Sequence, residues 1–338
     1  MKNVLYIGNN LKTKTSNISG IQTLGALLEQ EGYTMYYASS KANKLLRLLD
    51  MIWSILKFHK NVDFVLIDTY STVNFYYALV ISQLCRLLKI KYVPILHGGN
   101  LEHRLKDSSR FSGLIFNNAY TLVAPSGFLK TVFETYGYKN IIYIPNTFEI
   151  TNYTFQHRDL NTPRLLWVRS FSEIYNPKLA IHVFNALKKN QPHATLCMVG
   201  PDSDGSLVEV KQLASQLHLK VEFTGKLTKR DWIALSKDYN VFINTTNFDN
   251  TPLSVIEAMA LGLPIVSTNV GGLPYLITDA VDGMLVAPDL TAAMVEAINT
   301  LQLDEDLRIR LVTNARKKVE NFDWNAIKLK WNALFLSE

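Results

Sequence analysis

The amino-acid sequence predicts two doubly wound α/β domains of similar size. At 338 residues, the chain is longer than one ordinary hydrophobic core requires. Short β-rich runs alternate with longer amphipathic segments in both halves, which is typical of parallel sheets covered by helices. The polar stretch 145–163 has a proline at each end and no sustained period, so we predict a linker there. We therefore expect a first domain over 1–150 and a second over 163–322, with a cleft between the two sheets.

The first half contains six predicted strands, which are separated by amphipathic helical segments such as 20–31 and 73–88. Ligands of open α/β sheets bind beyond the carboxyl ends of the strands, so the loops that follow the strands are candidate site loops. The predicted strands lie near 2–8, 33–38, 63–68, 91–96, 120–123 and 141–144.

The second half repeats this alternation and ends in two further helical patterns, 304–320 and 323–336, with no strand after them. Its predicted strands lie near 164–169, 194–199, 220–224, 240–245, 264–267 and 284–286. The helices between them are predicted near 177–189, 205–218, 253–261 and 290–301.

Composition restricts the function classes. Hydrophobic residues make up 48% and charged residues 19% of the chain, so we expect folded structure almost throughout. The net charge of +6 favours an anionic partner, and a phosphorylated ligand or membrane surface ranks above nucleic acid because no basic stripe is interleaved with aromatic residues. Cys85 and Cys197 lie in apolar runs, as buried thiols in a reducing compartment do. The apolar run at 4–7 is too short for a signal peptide, so we expect a cytoplasmic protein.

The segment 249–274 contains the signals of a helix that begins at a ligand. Thr251 is a predicted N-cap and Pro252 a predicted first helical residue, because the N–H that proline lacks would be unpaired there. The free N–H groups and dipole of such a helix start suit a diphosphate. Glu257, about a turn and a half into the helix, can accept two hydrogen bonds from a ribose diol, and Asp249 lies in the loop before it.

Taken alone, Glu257 is better explained as a solvated helix residue and Asp249 as a turn residue, but their surroundings reverse this interpretation. The segment resembles the signature of family-4 retaining glycosyltransferases: an acidic residue, seven residues, Glu-Ala-Met-Ala, and then Gly-x-Pro and Gly-Gly-x-Pro. The matching residues here are Asp249, Glu257-Ala258-Met259-Ala260, Gly262, Pro264 and Gly271-Gly272-Leu273-Pro274.

This resemblance implies the GT-B fold, in which two Rossmann-like, doubly wound parallel-sheet domains face each other across a cleft. The second domain would hold most of the donor and the first most of the acceptor, and the last helix, within 323–338, would pack back onto the first domain. The resemblance also implies that Glu257 binds the donor ribose and that Asp249 is a catalytic residue near the donor sugar. The sugar and diphosphate would meet the backbone of Asn250, Thr251, Pro252 and Leu253.

Arg169 ends the predicted strand RLLWVR and matches the family arginine that neutralises the donor diphosphate. The alternative is a surface arginine without a ligand. The family usually has a lysine shortly after this arginine, but Asn176 stands at the nearest matching place. Lys178 or Lys226 could supply the missing cation, and we favour Lys226.

Two residues of the first half match family positions that face the donor. Gly20 follows Ser19 before a predicted helix and resembles the family's glycine-rich loop near the donor phosphates. His97 ends the strand YVPIL and precedes Gly98 and Gly99, where the family places a histidine facing the donor sugar. A lone histidine is more often structural, but at the carboxyl end of a strand we expect His97 to be catalytic.

We expect neither a metal ion nor another cofactor. Asp202-Ser203-Asp204 looks like the Asp-x-Asp metal motif of the other large glycosyltransferase fold. It follows the strand TLCMVG, where GT-B members carry a glycine-rich loop, and Arg169 with a helix N-terminus can stabilise a leaving diphosphate without metal.

The segment 41–58 has polar residues three or four positions apart, which is helical spacing. A helix packed on the first sheet explains this pattern better than an in-plane contact with a membrane, but both hold if one flank is exposed. The expected partners therefore include the inner face of a membrane.

By resemblance, the chain is a hexosyltransferase-type enzyme that moves a sugar, with retention of configuration, from a nucleoside diphosphate sugar to a hydroxyl acceptor. The acceptor would be a saccharide or a lipid-linked molecule in surface polysaccharide or glycolipid biosynthesis. Two alternatives stay open: a GT-B-type sugar-nucleotide epimerase, which needs no acceptor, and a non-catalytic two-lobed sugar-binding protein.

Overall fold

The computed structural model describes residues 2–11, 20–98 and 100–336. The chain divides into two compact units, of which the first comprises Met1–Phe148 and Trp324–Glu338 and the second Glu149–Asp323. The division after Phe148 lies within the polar stretch 145–163. In the described part of the chain, no helix is long and apolar enough to span a bilayer.

The described residues of the first unit form a parallel sheet of six strands in the order β2-β1-β3-β4-β5-β6. The strands are β1 (Asn3–Ile7), β2 (Thr34–Ala38), β3 (Phe64–Thr69), β4 (Lys91–Leu96), β5 (Leu122–Ala124) and β6 (Ile141–Tyr143). The helices are α1 (Gly20–Gln30), α2 (Lys44–Phe58), α3 (Asn74–Leu87), α4 (Leu101–Asp107), α5 (Ser109–Phe116), α6 (Gly127–Thr135) and α14 (Trp324–Leu336).

Apolar side chains cover both faces of this sheet, as the continuous apolar runs of its central strands predict. Helices α2 to α6 contribute to the core on one face, and α1 and α14 to the core on the other. The Phe335 ring of α14 lies 5.2 Å from the Phe64 ring, and Lys328 Nζ lies 3.1 Å from Glu31 Oε1. The C-terminal helix is therefore part of the first unit's own core.

The second unit repeats the architecture in the order β12-β11-β10-β7-β8-β9. Its strands are β7 (Arg164–Val168), β8 (Thr195–Val199), β9 (Glu222–Gly225), β10 (Val241–Asn244), β11 (Ile265–Thr268) and β12 (Met284–Val286). Its helices are α7 (Pro177–Lys188), α8 (Ser206–Gln216), α9 (Lys229–Leu235), α10 (Leu253–Ala260), α11 (Leu273–Leu276), α12 (Thr291–Leu303) and α13 (Glu305–Glu320).

The predicted fold class of two doubly wound parallel sheets is confirmed, and each predicted strand lies within two residues of an observed one. The strand order adds what the sequence pattern lacks, namely the points where the winding reverses. Reversal falls between β1 and β3 in the first sheet and between β7 and β10 in the second. Ligands of doubly wound sheets bind at such switch points, beyond the carboxyl ends of the strands.

Candidate functional site

The switch point of the second sheet brings Arg169 together with the loop that carries Asp249. Arg169 directly follows β7, and Asp249 follows the neighbouring strand β10. The Arg169 guanidinium forms an ion pair with the Asp249 carboxylate and lies 4.3 Å from the centre of the Tyr175 ring. Burial raises the pKa of Asp249 above its ordinary value, and the Arg169 guanidinium opposes that shift. Arg169, which is predicted to bind the diphosphate, and Asp249, the predicted catalytic carboxylate, therefore hold each other in place.

Two polar atoms at this edge are buried without a partner. Among the described residues, Nε of Arg169 and Oγ of Ser254 make no hydrogen bond although solvent does not reach them. Buried polar groups in folded proteins are nearly always hydrogen-bonded, so each orphaned donor indicates a missing acceptor. Sequence reasoning missed Ser254, whose only signal was its place in the first turn of a helix that follows a loop.

Helix α10 begins at Leu253, where the predicted helix 253–261 begins, but its cap differs from the predicted one. Its N-cap is Pro252, whose backbone is extended and whose side chain offers no capping bond, so the predictions of Thr251 as N-cap and Pro252 as first helical residue are wrong. A residue before proline is disfavoured in the helical conformation. Here Pro252 is extended as well, so the helix starts only after it. The N–H groups of Val255 and Ile256 donate to the Pro252 carbonyl, and within the described residues those of Leu253 and Ser254 have no carbonyl partner.

The glycine pair after β11 holds the loop before α10. The Gly272 N–H donates to the Asp249 carbonyl over 2.8 Å, and a Cβ on Gly272 would lie 1.7 Å from the Asn250 carbonyl oxygen. Gly271 has φ +54°, which a residue with a side chain rarely adopts. In the structure, the close backbone approach that these glycines permit is to Asp249 and Asn250.

Substitution of Gly272 by alanine should therefore destabilise the second unit by about 1–3 kcal/mol, because the Asn250 backbone must move. Chemical denaturation measures the change in the free energy of unfolding. Gly113→Ala is the control, because its Cβ would lie 3.2 Å from a side-chain atom, Asn117 Nδ2, in a helix where alanine is favoured. Equal stability of Gly272→Ala and the wild type would show that the loop is not held in this way.

Glu257 lies in the second turn of α10 and is buried. Its Oε1 accepts a hydrogen bond from the Tyr153 hydroxyl over 2.5 Å and lies 3.4 Å from Lys229 Nζ. Burial raises the pKa of Glu257, while the Tyr153 hydrogen bond and the Lys229 ammonium oppose the shift. In the described part of the chain Oε2 has no hydrogen-bond partner, so one oxygen is anchored and the other is free to accept from a ligand.

Tyr153 and Lys229 are the residues around Glu257 that sequence reasoning missed. Tyr153 lies in the stretch predicted as a linker, and Lys229 begins helix α9, which was not among the predicted helices. The sequence does contain a capping signal for α9, namely Thr228 followed three residues later by Asp231. In the structure the Thr228 hydroxyl accepts from the Asp231 N–H over 3.2 Å.

The two alternative lysines differ in their surroundings. Lys178 pairs with Glu209 at 2.6 Å on the surface, and Lys226 is exposed without a polar side-chain partner among the described residues. Asn176 caps α7 and donates to Asp289 Oδ1 over 2.7 Å. A second cation from Lys226 stays a prediction.

In the first unit, His97 belongs to a buried network at the switch point of the sheet. His97 follows β4, and its Nε2 lies 2.8 Å from Asp68 Oδ1. The Tyr6 hydroxyl donates to the same oxygen over 2.9 Å, and the Tyr70 ring stacks on the imidazole with centroids 4.7 Å apart. A carboxylate that accepts from Nε2 fixes the tautomer and orientation of the ring. Asp68 thus has the geometry of a positioning residue for His97.

Gly20 borders the same network. A Cβ on Gly20 would lie 3.6 Å from both His97 Cε1 and the Tyr6 hydroxyl. Gly20, His97, Tyr6 and Tyr70 line a pocket of about 290 Å³ in the first unit. Ser19 and Gly99, which the sequence analysis named beside Gly20 and His97, lie outside the described residues.

Asp202 and Asp204 accept hydrogen bonds that hold the loop before α8. Asp202 Oδ1 accepts from the Gly205 N–H over 2.9 Å, and Asp204 accepts from the Ser172 hydroxyl and the Glu173 N–H. The Ser206 and Ser172 hydroxyls lower the pKa of Asp204. Within the described residues, no three His, Cys, Asp or Glu side chains cluster as metal ligands would.

Solved structures that resemble this chain share its two-unit architecture over nearly their whole length. Anabaena HepE in complex with UDP aligns with a TM-score of 0.77 at 19% identity, covering 98% of this chain and 99% of HepE. Sucrose-phosphate synthase from Thermosynechococcus elongatus gives 0.77 at 18% identity, covering 99% and 98% of the two chains. These neighbours are glycosyltransferases of the GT-B type, so the predicted GT-B fold is confirmed.

The chain belongs to the family Glycosyl transferases group 1, whose model matches residues 150–318, half of its length. It is 26% identical over 165 residues to D-inositol 3-phosphate glycosyltransferase of Corynebacterium efficiens, covering 47% of this chain and 39% of that protein. It is 28% identical over 165 residues to the putative glycosyltransferase YtcC of Bacillus subtilis, covering 46% and 40%. The matches span about two fifths of these relatives, and the predicted glycosyltransferase is confirmed at the level of the family.

Proposed function

We propose that this protein transfers a glycosyl group from a nucleoside diphosphate sugar to a hydroxyl acceptor, with retention of configuration as in family 4. The observation that carries the proposal is the pair of orphaned donors, Arg169 Nε and Ser254 Oγ, at the switch point where α10 begins. Phosphate oxygens are the acceptors that a guanidinium and a helix N-terminus prefer.

The residues around α10 support the donor half of this reaction. Arg169 and the free N–H groups of Leu253 and Ser254 would hold the diphosphate, and Oε2 of Glu257 would accept from the ribose hydroxyls. Lys229 and Tyr153 anchor the other oxygen of Glu257, which orients the carboxylate and opposes the rise in its pKa that burial causes. HepE is solved with UDP and UDP-glucose, which favours a uridine nucleotide for this chain as well.

The chemistry needs stabilisation of the negative charge that develops on the leaving diphosphate. Arg169 and the first turn of α10 would provide it electrostatically, with no metal ion or other cofactor in the proposal. Asp249 and His97 are the proposed catalytic residues, and Asp68 holds the His97 imidazole in one orientation. We assign no nucleophile to the protein, because the acceptor hydroxyl would attack on the face that the diphosphate leaves and pass its proton to the departing oxygen.

The proposed acceptor is a saccharide or lipid-linked hydroxyl in polysaccharide or glycolipid assembly, handled at the cytoplasmic side. The relatives named D-inositol 3-phosphate glycosyltransferase support a hydroxyl acceptor. Identifying the anomeric configuration of the product by NMR tests retention directly. An inverted product contradicts the family-4 assignment.

The donor site is tested by thermal shift with UDP, GDP and ADP. A nucleotide at about 100 times its Kd should raise the Tm by about 5–10 °C, because it binds only the folded second unit. We expect UDP to give the largest rise. Ser254→Ala should reduce the rise without lowering the Tm of the free protein, since the deleted hydroxyl has no partner there. The proposal fails if no nucleotide shifts the Tm.

A further inference from the structure

Helix α2 carries an apolar stripe on the side that faces away from its own core. Met51 and Ile55 are buried against the first sheet, as a helix packed on that sheet requires. On the outer side, the exposed fractions are 66% for Leu45, 52% for Leu49 and 57% for Trp53. The outer stripe is Leu45, Leu46, Leu49, Trp53 and Leu56.

Single exposed apolar residues are ordinary in soluble proteins, but this stripe is continuous. Leu45, Leu46 and Leu56 each lie three or four residues from Leu49 or Trp53, which are themselves four apart, so all five residues share one side of the helix. Apolar surface of this kind marks an interaction site. No residue of the stripe lines the pocket of about 290 Å³ that contains Gly20 and His97.

Neighbouring helices on the same face of the sheet also expose apolar side chains. Helix α3 packs beside α2, and Gln83 of α3 donates to the Leu114 carbonyl of α5 over 3.0 Å. Tyr76 and Val80 of α3 are exposed one turn apart, and Phe111 of α5 is exposed as well. All three helices cover the same face of the first sheet. Their outer sides together form the apolar outer surface, defined by the stripe with Tyr76, Val80, Phe111 and Leu114.

The charges around the stripe are almost all positive. Between residues 41 and 60 the only acidic residue is Asp50, which is half-buried, whereas four lysines are exposed. Arg47 does not add to the exposed charge, because its guanidinium donates to the carbonyls of Lys41 and Ala42 and to Asn9. The exposed lysines are Lys41, Lys44, Lys57 and Lys60.

One of these lysines shows the pairing expected at a membrane surface. Lys57 Nζ lies 4.8 Å from the centre of the Trp53 ring. Indole rings favour the headgroup level of a bilayer, and lysine stems lie along apolar surface while the ammonium stays in the polar layer. Trp53 and Lys57 can therefore occupy neighbouring depths without either losing its preferred surroundings.

We propose that α2 lies in the plane of an anionic lipid surface, with its outer stripe in the headgroup and acyl boundary and its lysines on the phosphates. The helix, at 15 residues, extends about 22 Å, enough to rest on a bilayer. A symmetric second copy of the chain is a poorer occupant, because an isologous contact would bring the same lysines against one another. Anionic lipid neutralises them instead.

Co-sedimentation of the full chain with vesicles of equal parts phosphatidylcholine and phosphatidylglycerol tests this proposal. The wild type should pellet with these vesicles and much less with phosphatidylcholine alone. Leu49→Gln with Trp53→Gln should weaken binding at least about tenfold, because two apolar contacts are lost. Replacing the four lysines by Gln should weaken binding to the anionic vesicles about fivefold for each lysine, and added salt should mimic this change.

Leu303→Gln with Leu329→Gln is the matched control, since both leucines are exposed outside the apolar outer surface and their loss should leave vesicle binding unchanged. Equal binding by the Leu49 and Trp53 variant and the wild type overturns the proposal. So does a wild-type dimer, seen by analytical ultracentrifugation, that this variant dissociates. The rise in Tm with UDP should be the same in the variant, so a failed membrane contact is distinguishable from a failed donor site.

Discussion

Replacement of Glu257 by glutamine should raise the KM for the donor by about 100-fold or more, with a smaller effect on kcat. Hydrogen bonds to a charged acceptor contribute about 1.5–3 kcal/mol each, and the proposed ribose contact uses two of them. Glutamine keeps the size of the side chain but loses the charge and one acceptor. Steady-state kinetics with varied donor separates KM from kcat.

Two further variants distinguish ligand binding from structural support at this position. Tyr153→Phe and Lys229→Met remove the anchors of Oε1 but leave Oε2 in place, so each should raise the donor KM by less than Glu257→Gln does. Glu296→Gln, an exposed glutamate in the same unit, should have no effect. A donor KM that stays at the wild-type value in Glu257→Gln removes this residue from the donor site.

The strands and the main helices of both units could be predicted from the sequence because their signals are local. The buried run FVLIDT of β3 is apolar over most of its length, and the periodic pattern 177–189 returns as α7 with Pro177 as its first residue. Short helices such as α9 and α11 carry too few residues for a visible period. Their existence depends on capping and on the surfaces against which they pack.

The site could be predicted only as far as its motif extends. Asp249, Glu257 and Arg169 are signalled by local sequence, but their partners are not. Tyr153 meets Glu257 across 104 residues of chain, and the Asp68 side chain reaches His97 only because β3 and β4 are neighbours. Strand order and side-chain pairing are tertiary properties, so they cannot be predicted from the spacing of residues in the sequence.

Removal of Arg169, which pairs with Asp249, should lower both the kcat and the stability of the protein. Arg169→Met should lower kcat by about 10²–10³, which is the usual cost of deleting a group that stabilises the charge of a transition state. It should also destabilise the second unit by about 3–5 kcal/mol, because Asp249 would be left as an unpaired buried carboxylate. Kinetics and chemical denaturation measure the two effects separately.

Combining Arg169→Met with Asp249→Asn should restore most of the lost stability, since the neutral amide needs no counter-ion, and should leave kcat low.

Arg308→Met is the control, because Arg308 is a buried arginine that donates to the Leu301 carbonyl far along the chain from the donor loop. That variant should lose stability but keep its kcat at a temperature where it is folded. If the double variant recovered kcat together with stability, Arg169 would be a structural partner of Asp249 and not a ligand of the diphosphate. Because Asp249 is itself a proposed catalytic residue, a low kcat in the double variant does not by itself assign a role to Arg169. A low kcat in the Arg169→Met single variant, measured where that variant is folded, assigns the guanidinium to the leaving group.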